Sequence, residues 1–143
     1  MLVDAVQQGD GARYVRDAAT PCDVLMVDRF DYEGQPSALS SQAFYDDCFD
    51  LREPDGILVV NLFNHHGQYD IFVNRLRKSF ADQALVVEGA DVSNSLVFAF
   101  KEPRLQASRA GALRPPKQLD DHAARQLAAG FALTLTALKD QRQ

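Results

Sequence analysis

What this chain has little of narrows its class before any motif is read. It has two cysteines, Cys22 and Cys48, without C-x-x-C spacing or a partner cluster. Disulfide frameworks and zinc sites need more ligands at closer spacing, so the pair reads as buried thiols in a reducing compartment. No apolar run approaches the roughly eighteen residues of a membrane span, and Met1-Leu2-Val3-Asp4 lacks the pattern of a signal peptide. A cytoplasmic protein without a membrane partner is expected. Basic clusters are missing too: fifteen Lys and Arg residues are scattered along a chain of net charge −5, so nucleic acid is not an expected partner. The modest acidic excess favours cationic small molecules.

What is present fits one globular domain over residues 1–143, with a core over 2–100 and a C-terminal helix over 119–139. Apolar residues make up 46% of the chain and charged residues 24%, an ordinary globular balance. The stretch over residues 22–39 organises the rest. Val24-Leu25-Met26-Val27 reads as a strand buried on both faces, and it ends abruptly in Asp28-Arg29-Phe30-Asp31, then in the turn-formers Gly34 and Pro36. Two carboxylates therefore follow the C-terminal end of a core strand, where ligands bind in open α/β sheets. Spacing alone leaves two readings open for Asp28 and Asp31, a ligand site or loop acids that cap and solvate.

Upstream, residues 2–6 are a short strand candidate. Gly9-Asp10-Gly11 then turns into a helix carrying Ala12, Tyr14, Val15 and Ala18, with Asp10 placed to cap it. Gly9 and Gly11 imitate the opening of a dinucleotide fingerprint. The third glycine position holds Tyr14, and the strand before Gly9 ends in two glutamines, so a Rossmann phosphate loop is not the reading adopted. Downstream, Ser40 or Ser41 can cap a helix to about Arg52, with Phe44, Cys48 and Leu51 on one stripe widened by Tyr45 and Phe49. Pro54-Asp55-Gly56 predicts a turn that launches a strand from Ile57 to Phe63, and Asn64-His65-His66-Gly67 follows. A helix from near Tyr69 to Phe80 repeats Phe72, Leu76 and Phe80 every four residues. Strands over 84–87 and 96–100 are joined by a link too short for a helical crossover, which predicts an antiparallel hairpin. The last helix carries Leu119, Ala123, Leu127, Phe131, Leu135 and Leu138 as a stripe that covers a sheet face. The fold class expected is α/β: a partial, doubly wound, mostly parallel sheet with an antiparallel C-terminal hairpin and helices on both faces.

This order of elements resembles the C-terminal half of the adenosylmethionine-dependent methyltransferase fold, and more narrowly the spermidine synthase (polyamine aminopropyltransferase) family and its spermidine-synthase-like relatives. Gly9-Asp10-Gly11 before a helix resembles the family's Gly-Asp-Gly/Ala turn, whose Asp contacts the adenine amino group of the nucleoside. Asp28-Arg29-Phe30-Asp31 with Gly34 and Leu39 resembles the family's Asp-Ser-Ser-Asp-Pro-x-Gly-Pro-Ala-x-x-Leu segment. Phe44-Tyr45 and Pro54-Asp55-Gly56-Ile57-Leu58-Val59 continue it in register, so that the likeness covers residues 2–100. The chain departs from the pattern where Arg29-Phe30 replaces Ser-Ser, Tyr32 replaces Pro and Gly34-Gln35-Pro36 replaces Gly-Pro-Ala. The resemblance places the chain's start at the family's fourth strand. The first strand, its glycine-rich loop, the ribose-gripping acid and the N-terminal β-structure are then expected to be missing from it.

The resemblance implies aminopropyl transfer from decarboxylated S-adenosylmethionine to a diamine or polyamine such as putrescine. Asp28 would be the base that deprotonates the attacking amine, Asp31 would hold the diamine, and Asp10 with Gly11 would contact the nucleoside. Decarboxylated S-adenosylmethionine, or S-adenosylmethionine itself, is a co-substrate in this reading, with no tightly bound cofactor and no metal. The adjacent His65 and His66 cannot both reach one ion without ligands from elsewhere. They read as lining the substrate cleft or as a solvated loop. The competing reading is a non-catalytic half-domain, a remnant or a partner-dependent module; another methyltransferase-like transferase is a further alternative. An open sheet edge at residues 2–6 predicts a homodimer, or a partner chain that supplies strands.

Overall fold

A computed structural model of the protein describes residues 5–28, 37–89, 93–103 and 116–141. Helix α1 (Gly11–Asp17) begins where the sequence predicts. Asp10 Oδ1 accepts from the N–H groups of Ala12 at 2.9 Å and Arg13 at 3.2 Å, two donors that a first helical turn cannot satisfy itself. At its far end Arg16 and Arg13 both meet Asp17. The hydrogen bond from Arg16 holds the Asp17 carboxyl below its usual range.

Strand β1 (Cys22–Val27) leads to a 3₁₀ turn (Ser37–Leu39) and helix α2 (Gln42–Leu51). Ser41, not Ser40, caps α2: its Oγ accepts from Phe44 N at 3.1 Å. Strand β2 (Arg52–Phe63), helix α3 (Tyr69–Ser79), strands β3 (Ala84–Glu88) and β4 (Asn94–Phe100), and helix α4 (Asp121–Asp140) complete the order. The helical stripes are those of the sequence. Phe44, Tyr45, Cys48 and Leu51 of α2 and Phe72, Val73 and Leu76 of α3 are buried against Leu58, Val60 and Leu62 of β2. Phe80, just past α3, meets Phe49 edge-on with centroids 5.3 Å apart. A polar tie also joins the two helices, since Gln42 Nε2 donates to Ser79 Oγ and Arg75 O, and Ser79 Oγ donates to Asp46.

The sheet order is β1-β2-β4-β3. β1 pairs parallel with β2, while β4 runs antiparallel to both β2 and β3. The predicted hairpin therefore forms, and its second strand slots between β2 and β3. Three strands still run in one direction, although only one of the three pairings is parallel. Helices α1 to α3 share one core on one face, while α4 packs on the other, with Leu133, Ala137 and Leu138 against a second cluster around Leu85 and Val87.

Three expectations need correction. β1 is not buried on both faces. It is an outer strand among the described residues, and Val24 and Met26 are 56% and 75% exposed, because α4 covers only β3 and β4 on their side. The strand expected over residues 2–6 is not formed in its described part: Ala5 and Val6 are not in a strand and Val6 is 90% exposed, while 2–4 lie outside the described residues. Pro54-Asp55-Gly56 is not a turn between elements but lies within β2. There β1 advances two residues, from Cys22 to Val24, while β2 advances five, from Arg52 to Ile57. The excess is a bulge that re-sets the register.

Gly56 closes that bulge. A Cβ there would stand 2.9 Å from Glu53 O and 3.1 Å from Asp23 O, both backbone atoms that cannot swing away. Replacing Gly56 by valine is expected to lower unfolding stability by about 1–3 kcal/mol, as overpacking does. Urea unfolding checks this, with an unchanged midpoint counting against the close approach.

Candidate functional site

Among the residues that the sequence singled out, Asp10, Gly11 and Asp28 are described. Asp28 follows β1 directly. Its register continues Val27↔Val60, which sets it beside Asn61 of β2. Asn61 Nδ2 donates to Asp28 Oδ1 at 3.2 Å. By strand alternation both side chains belong to the sheet face of Met26 and Val59, the face that α4 covers in part. Asp28 is exposed, whereas Asn61 is half-buried and its Oδ1 is a buried atom with no partner among the described residues. Asn61 is the one residue of this site that the sequence reading passed over. Its signal was a carboxamide inside the apolar run Ile57-Leu58-Val59-Val60-Asn61-Leu62-Phe63.

Asp31 lies outside the described residues, as do the others over 29–36. Leu39, at the end of the 3₁₀ turn, comes to Gly11, where a Cβ would sit 3.4 Å from Leu39 Cδ2. The Gly-Asp-Gly turn and the 3₁₀ turn over 37–39 therefore meet. Beside the turn is an open cavity of about 410 Å³ whose walls include Gln8, Gly9, Asp10, Gly11 and Tyr14. Gly9 has open space where a Cβ would be, so the backbone there can be approached closely. The helix start does not offer free Ala12 and Arg13 N–H groups, because Asp10 Oδ1 already accepts from both. What remains for a ligand is the other carboxylate oxygen, Oδ2.

The loop after β2 is held from below. Tyr69 Oη donates to Ser95 Oγ at 3.0 Å, Ser95 Oγ donates to Asn64 Oδ1, and Asn64 N donates to Ser93 O at 2.9 Å. The two histidines have separate partners. His65 meets Phe63 edge-on, while the His66 ring lies tilted against Phe72, 5.1 Å between centroids, and its Nδ1 accepts from Gln68 N at 3.1 Å. Among the described residues no three His, Cys, Asp or Glu side chains gather as a metal site would require. No helix among them is long and apolar enough to cross a membrane.

No family model matches the chain. A polyamine aminopropyltransferase of Chromobacterium violaceum is 30% identical over 97 residues, which is 68% of this chain and 37% of that protein. One from Neisseria meningitidis is 33% identical over 94 residues, or 66% of this chain and 36% of that protein. The chain thus spans little more than a third of the curated relatives it matches. Among solved structures, a spermidine synthase bound to the transition-state analogue AdoDATO superposes with a TM-score of 0.59 at 22% identity, over 90% of this chain and 47% of that one. Human methyltransferase-like protein 13 bound to SAH gives 0.57 at 22% identity, over 94% and 59%. Those two likenesses speak for the fold alone; taken with the sequence matches, the chain fits a spermidine-synthase-like C-terminal half on the methyltransferase fold.

Proposed function

We propose that this chain serves aminopropyl transfer from decarboxylated S-adenosylmethionine to a diamine such as putrescine, with Asp28 as the base. The observation that carries the reading is the Asp28 carboxylate, set at the end of β1 and held by Asn61 Nδ2. An ammonium ion is no nucleophile, so the amine must lose a proton to attack. A carboxylate within hydrogen-bond reach draws the cation in and accepts that proton. The nitrogen then bonds to the methylene carbon beside the sulfonium, the carbon–sulfur bond breaks, and sulfur leaves as a neutral thioether. Positioning supplies most of the remaining acceleration. Asp31 is assigned to hold the diamine, and Asp10 with Gly11 to meet the adenine in the cavity next to Tyr14. Cys22 and Cys48 form no disulfide, which suits a cytoplasmic setting.

A second reading is favoured by one specific observation. Val24 and Met26 lie exposed on an outer strand whose other edge is unpaired among the described residues. Apolar outer strands invite pairing with another chain. We therefore propose that the working unit is a homodimer, or a complex with a partner chain that adds strands beside β1. In the extreme of this reading the chain is a non-catalytic module.

Three measurements test these assignments. Calorimetry with decarboxylated S-adenosylmethionine and methylthioadenosine should show binding, weakened roughly tenfold by Asp10→Ser, which keeps the helix cap but removes the second oxygen. Unchanged affinity in that variant rejects the adenine assignment. Asp28→Asn should lower turnover by about a hundredfold or more, whereas Asp31→Asn should act mainly on KM. The opposite pattern would reverse the two roles. Light scattering across a dilution series should give a mass above the monomer that falls on dilution; a constant monomer mass with a concentration-independent melt removes the self-association reading.

A further inference from the structure

Arg52 opens β2 and is 1% exposed, yet no carboxylate pairs with it among the described residues. Its Nε donates to Cys48 O at 3.3 Å and its Nη2 to Cys22 Sγ. Its Nη1 is buried and has no partner among the described residues. A guanidinium cannot shed its proton, and a buried cation without an anion is costly. The sulfur it touches belongs to its cross-strand partner, since Cys22↔Arg52 is the first rung of the β1–β2 ladder. Cys22 is half-buried on the outer strand, whereas Cys48 is fully buried.

We propose that Cys22 is an oxidation site for hydrogen peroxide and that Arg52 is the residue which makes it one. Reactive thiols sit in electropositive, partly exposed surroundings, and Cys22 has both features. The sulfur lone pair attacks one peroxide oxygen, the S–O bond forms as the O–O bond breaks, and the departing hydroxide takes up the thiol proton and leaves as water. Sulfur is oxidised by two electrons, the peroxide is reduced, and the product is a sulfenic acid. The guanidinium stabilises negative charge as it builds on the sulfur and the leaving oxygen. The new oxygen then offers Nη1 an acceptor within the same rung. The inference does not rest on the aminopropyltransferase reading, because Cys22 stands at the opposite end of β1 from Asp28.

The test treats the folded protein with hydrogen peroxide in the presence of dimedone, which traps sulfenic acids, and follows each cysteine peptide by mass spectrometry. Label is expected on Cys22 and not on Cys48. The Cys22 rate should fall by roughly tenfold in Arg52→Met, and by a similar factor in urea-unfolded wild type, where Arg52 no longer faces the sulfur. The unfolded comparison decides the matter even where Arg52→Met does not fold. An unlabelled Cys22 in the folded protein overturns the proposal. So does a Cys22 that reacts as fast unfolded as folded.

Discussion

The parallel pairing of β1 on β2 is the constraint on which the rest of the structure depends. Its register is not uniform. It starts at Cys22↔Arg52, loses three residues of β2 to the bulge, and resumes at Val24↔Ile57. From there it runs without a break to Val27↔Val60, which puts Asp28 level with Asn61. A slip of one residue would turn Leu58, Val60 and Leu62 out of the core, because side chains alternate between faces. The same slip would part the carboxylate from its amide. Core burial therefore holds the site geometry in place, and Gly56 permits it by letting the backbones of Glu53 and Asp23 approach.

Much of this was legible in the sequence. The helical stripes, the Asp10 and Ser41 caps and the hairpin of β3 and β4 each rest on local chemistry that a window of a few residues contains. Where β4 inserts is different, because a hairpin looks the same whether its second strand lies at an edge or inside the sheet. Pro54-Asp55-Gly56 misled for a related reason. Proline, aspartate and glycine mark any place where regular pairing fails, and a bulge inside a strand uses the same residues as a turn between elements. The exposure of Val24 and Met26 was hidden as well, since a run of four apolar residues does not state what covers each face.

The site was half legible. Asp10 and Asp28 follow from motif and position, but each also has structural work that spacing does not reveal. Asp10 spends one oxygen on its helix, so any nucleoside contact must use the other. The cap and the cavity beside Tyr14 share this residue: Asp10, which starts α1, also lines that space. Leu39 reaching Gly11 adds a second tie, joining the 3₁₀ turn before α2 to the same turn.

Asn61 is the most informative departure from local rules. Asparagine is depleted in strands, and here it interrupts an otherwise aliphatic and aromatic run in the most central part of the sheet. Its Oδ1 is buried without a partner among the described residues, and an unsatisfied buried group costs about 1–3 kcal/mol relative to a satisfied one. A leucine or valine at this position would pair as well with Leu96 across the β2–β4 ladder and would carry no such cost. Packing therefore gives no reason for the amide, and its Nδ2 on Asp28 does. A sequence that breaks strand preference at one position, and does so opposite the exposed carboxylate at the end of the neighbouring strand, is sacrificing stability to orient a charge.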